Sequence, residues 1–257
     1  MGKIVSIHSF RGGTGKSNIS ANIAAQFARR GNRVGVIDTD IQSPGIHVLF
    51  GMQEDSIDKA LNDYLWGRCP IEETAYDVGA RIGEGEVLVM GGGIYLIPSS
   101  LRAGEIARVL REGYDVGLLN DGFRALVDKL DLDYLFIDTH PGLNEETLLS
   151  IAISHILLII MRPDQQDFQG TIVTVDVARK LEVPHLFMLI NKAPSSLDFE
   201  DLRDHVEETY DAKVGTVLPL SEDVARLASS DIFSLRFPDH PFSQGIMDVV
   251  KLIESVT

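Results

Sequence analysis

An alternation along the whole chain narrows the fold more than any other feature. Short apolar runs at residues 4–7, 34–37, 94–97, 134–137, 156–161, 185–190 and 214–218 are separated by longer stretches with apolar residues at helical spacing. Most runs are apolar at consecutive positions, as in Ile156-Leu157-Leu158-Ile159-Ile160-Met161, which is how a strand covered on both faces reads. Helices are expected over 16–30, 58–66, 102–111, 114–131, 144–151, 165–181, 198–210 and 241–255. The first carries Ile19, Ile23, Ala24, Phe27 and Ala28 on one stripe, and Gly31 ends it. Strand followed by helix, repeated, means βαβ units. The expectation is a doubly wound, three-layer α/β fold around a mainly parallel sheet. No break in composition divides the chain, so residues 1–257 read as a single domain. The glycine-rich stretch 79–93 reads as a loop or hairpin.

Charge and cysteine content exclude several function classes. The net charge is −15, so the surface as a whole repels DNA phosphates and anionic lipid. One cysteine, Cys69, rules out a disulfide framework and a cluster ligated by this chain alone, and it fits a reducing cytosol. Met1-Gly2-Lys3 leads straight into a strand-like run, without the pattern of a secretory signal. The most apolar stretch, 151–161, is interrupted by Ser154 and His155 and is too short to span a bilayer. A cytoplasmic protein is expected.

Between the first strand and the first helix lies Phe10-Arg11-Gly12-Gly13-Thr14-Gly15-Lys16-Ser17. Glycines let the backbone curl tightly and aim N–H groups at phosphate oxygens, and the helix N-terminus adds partial positive charge. Lys16 is placed to reach the β- and γ-phosphates, and the Ser17 hydroxyl to ligate Mg²⁺. The usual pattern begins with a glycine separated from the Gly-Lys pair by four residues, where this chain has Phe10.

The loop resembles the deviant phosphate loop of the MinD/ParA family of P-loop ATPases, Lys-Gly-Gly-x-Gly-Lys-Ser/Thr, at Gly12, Gly13, Gly15, Lys16 and Ser17. The resemblance implies Mg·ATP held by residues 12–17 and Asn18. It also implies an ATP-dependent homodimer in which the family's first lysine reaches the partner's phosphates. Arg11 takes that position, and its guanidinium is not equivalent to an ammonium. Gly35-Val36-Ile37-Asp38-Thr39-Asp40 resembles the family's switch I. Its second acid, Asp40, would orient the attacking water and touch the metal's water shell; an N-cap role is the alternative. Tyr134-Leu135-Phe136-Ile137-Asp138 reads as a Walker B strand, with Asp138 at the metal, and Thr139-His140-Pro141-Gly142 resembles switch II. Asn191, closing another apolar strand, matches the family's adenine contact, and Pro219 matches its second base loop. Asn191-Lys192-Ala193-Pro194 lacks the aspartate that guanine readers use.

The expected function is an ATP-driven dimerisation switch in intracellular positioning, with hydrolysis stimulated by a protein partner. The alternatives are an ATP-dependent small-molecule ligase or kinase, or an ATP-binding module that does not hydrolyse. DNA binding is not expected, since residues 198–211 hold seven acids and one arginine. Membrane binding is not expected either. The last helix has an apolar stripe, Phe242, Ile246, Val249, Val250 and Ile253, but its charges sum to −1 and the stripe reads as docked on the core. Asp167-Phe168-Gln169-Gly170 and the 102–111 helix are candidate contact surfaces. A nitrogenase-type reductase is excluded, because it needs two cluster-ligating cysteines per chain.

Overall fold

The computed structural model describes residues 2–81 and 91–257. In order, the elements are β1 (Lys3–His8), α1 (Lys16–Arg29), β2 (Arg33–Asp38), α2 (Leu61–Leu65), β3 (Tyr76–Asp77), β4 (Gly93–Ile97), α3 (Ala103–Glu112), α4 (Val116–Lys129), β5 (Tyr134–Asp138), α5 (Glu145–Ala152) and β6 (Ile156–Met161). There follow α6 (Gln165–Lys180), β7 (His185–Ala193), α7 (Phe199–Tyr210), β8 (Lys213–Pro219), α8 (Glu222–Leu227), α9 (Phe233–Arg236) and α10 (Pro241–Glu254).

Among the described residues the strands form one eight-stranded sheet, ordered β3-β4-β2-β5-β1-β6-β7-β8. All neighbours are parallel except β3 against β4. Because successive side chains point to opposite faces, each strand feeds two layers. Val5, Ile7, Val34 and Val36 pack with Ile19, Ile23 and Phe27 of α1 and with Ile246 and Val249 of α10. Ile4, Ile37, Leu135 and Ile137 pack on the other face with Phe123 and Leu126 of α4. Farther along, Leu157, Ile159 and Met161 pack with Val175 of α6 and Val206 of α7. Double coverage is the reason the strand sequences are continuously apolar.

Every apolar run expected as a strand is one. The elements that sequence periodicity misses are short: β3 has two residues, α9 four and α8 six. Such lengths show no period, and α8 is held at its start by the Ser221 hydroxyl accepting from Val224 N. The helix expected over 58–66 begins only at Leu61, where the Asp63 carboxylate accepts from Ala60 N and starts the turn. Of the stretch expected as a loop or hairpin, residues 82–90 lie outside the described residues. Residues 79–81 form a 3-10 turn, and Gly93 opens β4.

The stripe of α10 is docked as expected: Phe242, Ile246, Val249, Val250 and Ile253 are at most 3% exposed. Among the described residues no helix is long and apolar enough to cross a membrane.

Residues Ile7 and Asp138 are register partners, as are Asp38 and Asp138. The carboxyl ends of β1, β2 and β5 therefore stand side by side, at the edge where parallel sheets bind ligands. If α10 is a structural layer, Ile246→Ala will lower stability by about 2–5 kcal/mol, read as a fall in the calorimetric unfolding midpoint.

Candidate functional site

The loop leaving β1 is shaped by positive φ at two glycines, Gly13 (φ 78°) and Gly15 (φ 91°). At Gly15 a second constraint applies: a Cβ would stand 2.5 Å from Asn191 Nδ2. Lys16 opens α1, is 7% exposed, and places Nζ 3.2 Å from Asp138 Oδ1. The hydroxyl of Ser20, one turn farther, lies 3.1 Å from the same oxygen. Asp138 Oδ2 is buried and has no partner. Removing one member of such a buried pair costs about 3–5 kcal/mol, because the other charge is left uncompensated.

An open cleft of about 320 Å³ lies over this loop, lined by residues that include Gly12, Lys16, Ser17, Asp40 and Ser229. Asn18 borders it as well, and its backbone and side-chain oxygens accept from Asn22 Nδ2. Thr14 is buried with its hydroxyl unpartnered. A larger groove of about 520 Å³ lies elsewhere, between α8 and α9, where Arg226 and Arg236 are already paired with neighbouring acids.

The structure separates the two acids at the end of β2. Asp38 is 1% exposed and accepts from Asp40 N (3.0 Å) and Gly45 N (3.1 Å). Burial and the Asp138 carboxylate outweigh the Gly45 N–H and the Lys16 charge and push its pKa up to about 8. Asp40 is half-buried beside the cleft, with Oδ1 accepting from Ser43 N (3.1 Å) and lying 3.8 Å from His140 Nε2. Burial raises its pKa too, against the opposing pull of His140 and Lys16. The N-cap alternative is not met, because the next helical turn starts at Ile46 with Gly45 as its cap and no side-chain cap bond. Asp40 instead closes a local turn through Ser43 N while facing the cleft.

Arg11 is folded back on its own chain. Its Nη1 lies 3.7 Å from Asp164 Oδ1 and 3.7 Å from Asp167 Oδ1, at the start of α6. Arg162 engages both acids as well. Phe10 rests on Gly170 of the same helix, where a Cβ would stand 1.9 Å from its ring. These contacts correct the expectation that residues 167–170 form an exposed surface. Asp167 and Gly170 are buried against Arg11 and Phe10, Phe168 is half-buried against His205 and Tyr210 of α7, and Gln169 stays exposed. In the other candidate surface, α3, Arg108 stacks on Trp66 and Glu105 binds Trp66 and Arg68.

Asn191 and Pro219 lie near the carboxyl ends of the neighbouring strands β7 and β8, where Ala193 and Pro219 are in register. Asn191 Nδ2 donates to Thr14 O at 2.7 Å, so its amide also serves the loop. Three residues near the site were not singled out from the sequence: Ser20, Lys192 and His8. Ser20 stands one helical turn after Lys16, a spacing that would have revealed it. Lys192 Nζ donates to Gly13 O at 2.7 Å. His8 is wholly buried, and no sequence signal marks it. The Thr139 hydroxyl donates to Ile7 O (3.0 Å), so His8 Nδ1–H donates to Thr139 Oγ1 (2.8 Å), which leaves Nε2 as an unpartnered acceptor.

A glycine-rich loop from strand to helix, its lysine beside a carboxylate that ends a neighbouring strand, defines a P-loop nucleotide-binding protein. Residues 5–235 match the CobQ/CobB/MinD/ParA nucleotide binding domain, and the chain belongs to that family. It is 27% identical to an uncharacterized ATP-binding protein of Methanocaldococcus jannaschii, over 98% of this chain and 88% of that one. It is 33% identical to a cytosolic Fe-S cluster assembly factor of Chaetomium globosum, over 63% of this chain and 48% of that one. In fold it is similar to the septum site-determining protein MinD complexed with Mg-ADP from Pyrococcus horikoshii. That match has a TM-score of 0.78 and 17% identity, covering 100% of this chain and 97% of that one.

Burial, then the charges of Lys16 and His140, lower the His8 pKa from 6.5 to about 3. The folded chain therefore binds fewer protons than the unfolded one between those values. The stability that neutral His8 supports is complete above 6.5 and is lost as the pH falls toward 3. His8→Asn keeps a donor for Thr139 but cannot be protonated. Its unfolding midpoint will lie below the wild type's at about pH 7, and the gap will narrow toward about pH 4.

Proposed function

We propose that this chain is a Mg-dependent ATPase that works as an ATP-driven dimerisation switch, positioning a cargo in the cell and hydrolysing ATP when a protein partner engages it. The observation that carries the reading is the pairing of an open phosphate cleft with an Arg11 that is folded back in cis. Loop amides, α1 and Lys16 supply the positive field for the phosphates. Ser17, Asp138 and Asp40 are the residues to hold Mg²⁺, and the buried, unpartnered Asp138 Oδ2 fits that role. Bound there, the metal would neutralise charge developing on the phosphates. Asp40, at the rim of the cleft, orients the attacking water. Asn191 and Pro219 receive the adenine. Arg11, released from Asp164 and Asp167, lends its guanidinium to phosphate charge across a dimer interface.

A protein is the partner that the surfaces favour. The docked stripe of α10 offers lipid no apolar face, and the acids of α7 oppose DNA. The cluster assembly named for one relative has little support here. Cys69, half-buried between α2 and β3, is the single thiol of the sequence, and two copies would bring two thiolates where Fe–S clusters commonly use four.

Light scattering on Asp40→Ala will give the 28.3 kDa monomer in ADP and about twice that mass in Mg·ATP. Arg11→Ala will abolish the shift. A monomer in both nucleotides, with ATP shown to be bound, would move the reading to a small-molecule enzyme or a binding module. In steady-state assays, Lys16→Ala will lower ATP turnover on the order of 100-fold or more.

A further inference from the structure

A loop that cups phosphate with its N–H groups turns its carbonyls outward; that of buried Thr14 then needs a donor, and that of exposed Gly13 is free to take one at the surface. Two consecutive carbonyls of this loop, those of Gly13 and Thr14, find theirs in two consecutive residues after the body of β7. Lys192 Nζ donates to Gly13 O at 2.7 Å, and Asn191 Nδ2 donates to Thr14 O at 2.7 Å. A third bond locks the arrangement. Lys192 N donates to Asn191 Oδ1 at 2.9 Å, which fixes the amide with its nitrogen toward Thr14.

The backbone is distorted to make this possible. The register of β7 against β8 slips between Ile190 and Ala193, as at a bulge, and Lys192 sits at φ 58°. An L side chain adopts that left-handed conformation at a cost, and bulges re-aim side chains next to functional sites. Here the distortion turns Asn191 and Lys192 together toward the loop. The stem of Lys192 closes over Gly15, with Cε 3.9 Å from the place of a Cβ, and Asn191 Nδ2 excludes that Cβ altogether.

We propose that Lys192 is a positioning residue: with Asn191 it holds the Gly13 and Thr14 carbonyls outward and so pre-shapes the phosphate loop for nucleotide. The inference rests on the nucleotide-binding reading above and adds a residue to it. Its consequence is that the strand end assigned to the base and the loop assigned to the phosphates are one mechanical unit.

The test uses the full chain as wild type, Lys192→Met, which keeps the stem and removes the ammonium, and Lys192→Arg, which keeps a donor. Two quantities are read: hydrogen exchange of the loop amides at residues 10–17 without nucleotide, and the Kd for Mg·ATP by calorimetry, with kcat and KM alongside. In Lys192→Met, loop exchange is expected to be about tenfold faster and ATP binding about tenfold weaker, with the loss in KM rather than kcat. Lys192→Arg is expected to restore both. Unchanged exchange with weakened binding would mean that Lys192 touches the nucleotide directly, and would overturn the brace. Faster exchange with unchanged binding would overturn its part in recognition. A loss that arginine does not restore, accompanied by a lower melting temperature, would reduce the contact to a folding role. A wild type that binds no ATP would overturn the nucleotide reading itself, whatever the exchange shows.

Discussion

The contact between Lys16 and Asp138 is the one on which the rest of the site depends. An ammonium and a carboxylate lie 3.2 Å apart where both side chains are at most 8% exposed. Taking two charges from water is costly, and their mutual attraction offsets that cost only when the geometry is good. The geometry comes from the sheet. β1 and β5 are neighbours in register, so the helix that follows β1 must begin directly over the end of β5. Ser20 strengthens the pair from one turn farther along α1. A lysine held this way is desolvated and aimed before any phosphate arrives. The second oxygen of Asp138 remains available.

Around that pair the chain gathers carboxylates that cannot all be ionised cheaply. Asp38 and Asp138 are opposite each other on adjacent strands, and the like charge helps push Asp38 up to about 8. Asp40, two residues on, escapes to the cleft rim and is moderated by His140 and Lys16. The same strand end thus yields one buried acid that organises the following backbone through Asp40 N and Gly45 N, and one that faces the cleft. Equal residue types acquire different work from their depth alone.

The loop is also gripped from its outer side. Phe10 and Arg11 lie on α6, while Asn191 and Lys192 reach in from β7. Both grips tie the loop to elements that lie far from it in sequence. The fold alone does not choose a task, since folds of this kind host many activities. One protein of similar fold is named for septum site determination, and one sequence relative for Fe-S cluster assembly.

Much of this was legible in the amino-acid order. Consecutive apolar residues required strands covered on both faces, and the strand order of a parallel sheet required crossover helices between them. Gly15-Lys16-Ser17 at a strand-to-helix junction required an anion cup, because only glycine tolerates φ 91° beside Asn191 and only a helix N-terminus presents free amides there. Family membership was legible for the same reason: it resides in contiguous residues. Other features depended on contacts between residues far apart in sequence, which no local pattern records. His8 looks like any strand residue until Thr139 lies beside it across 131 positions. Asp167 and Gly170 read as exposed because their cover, Arg11 and Phe10, comes from the other end of the chain. Lys192 looks like a loop cation until the slip after Ile190 turns it onto Gly13, 179 positions away. The sequence by itself determined the sheet, the phosphate loop and the family. Tertiary structure decided which acids are buried, where Arg11 rests and what braces the loop, because burial and long-range pairing are properties of packing.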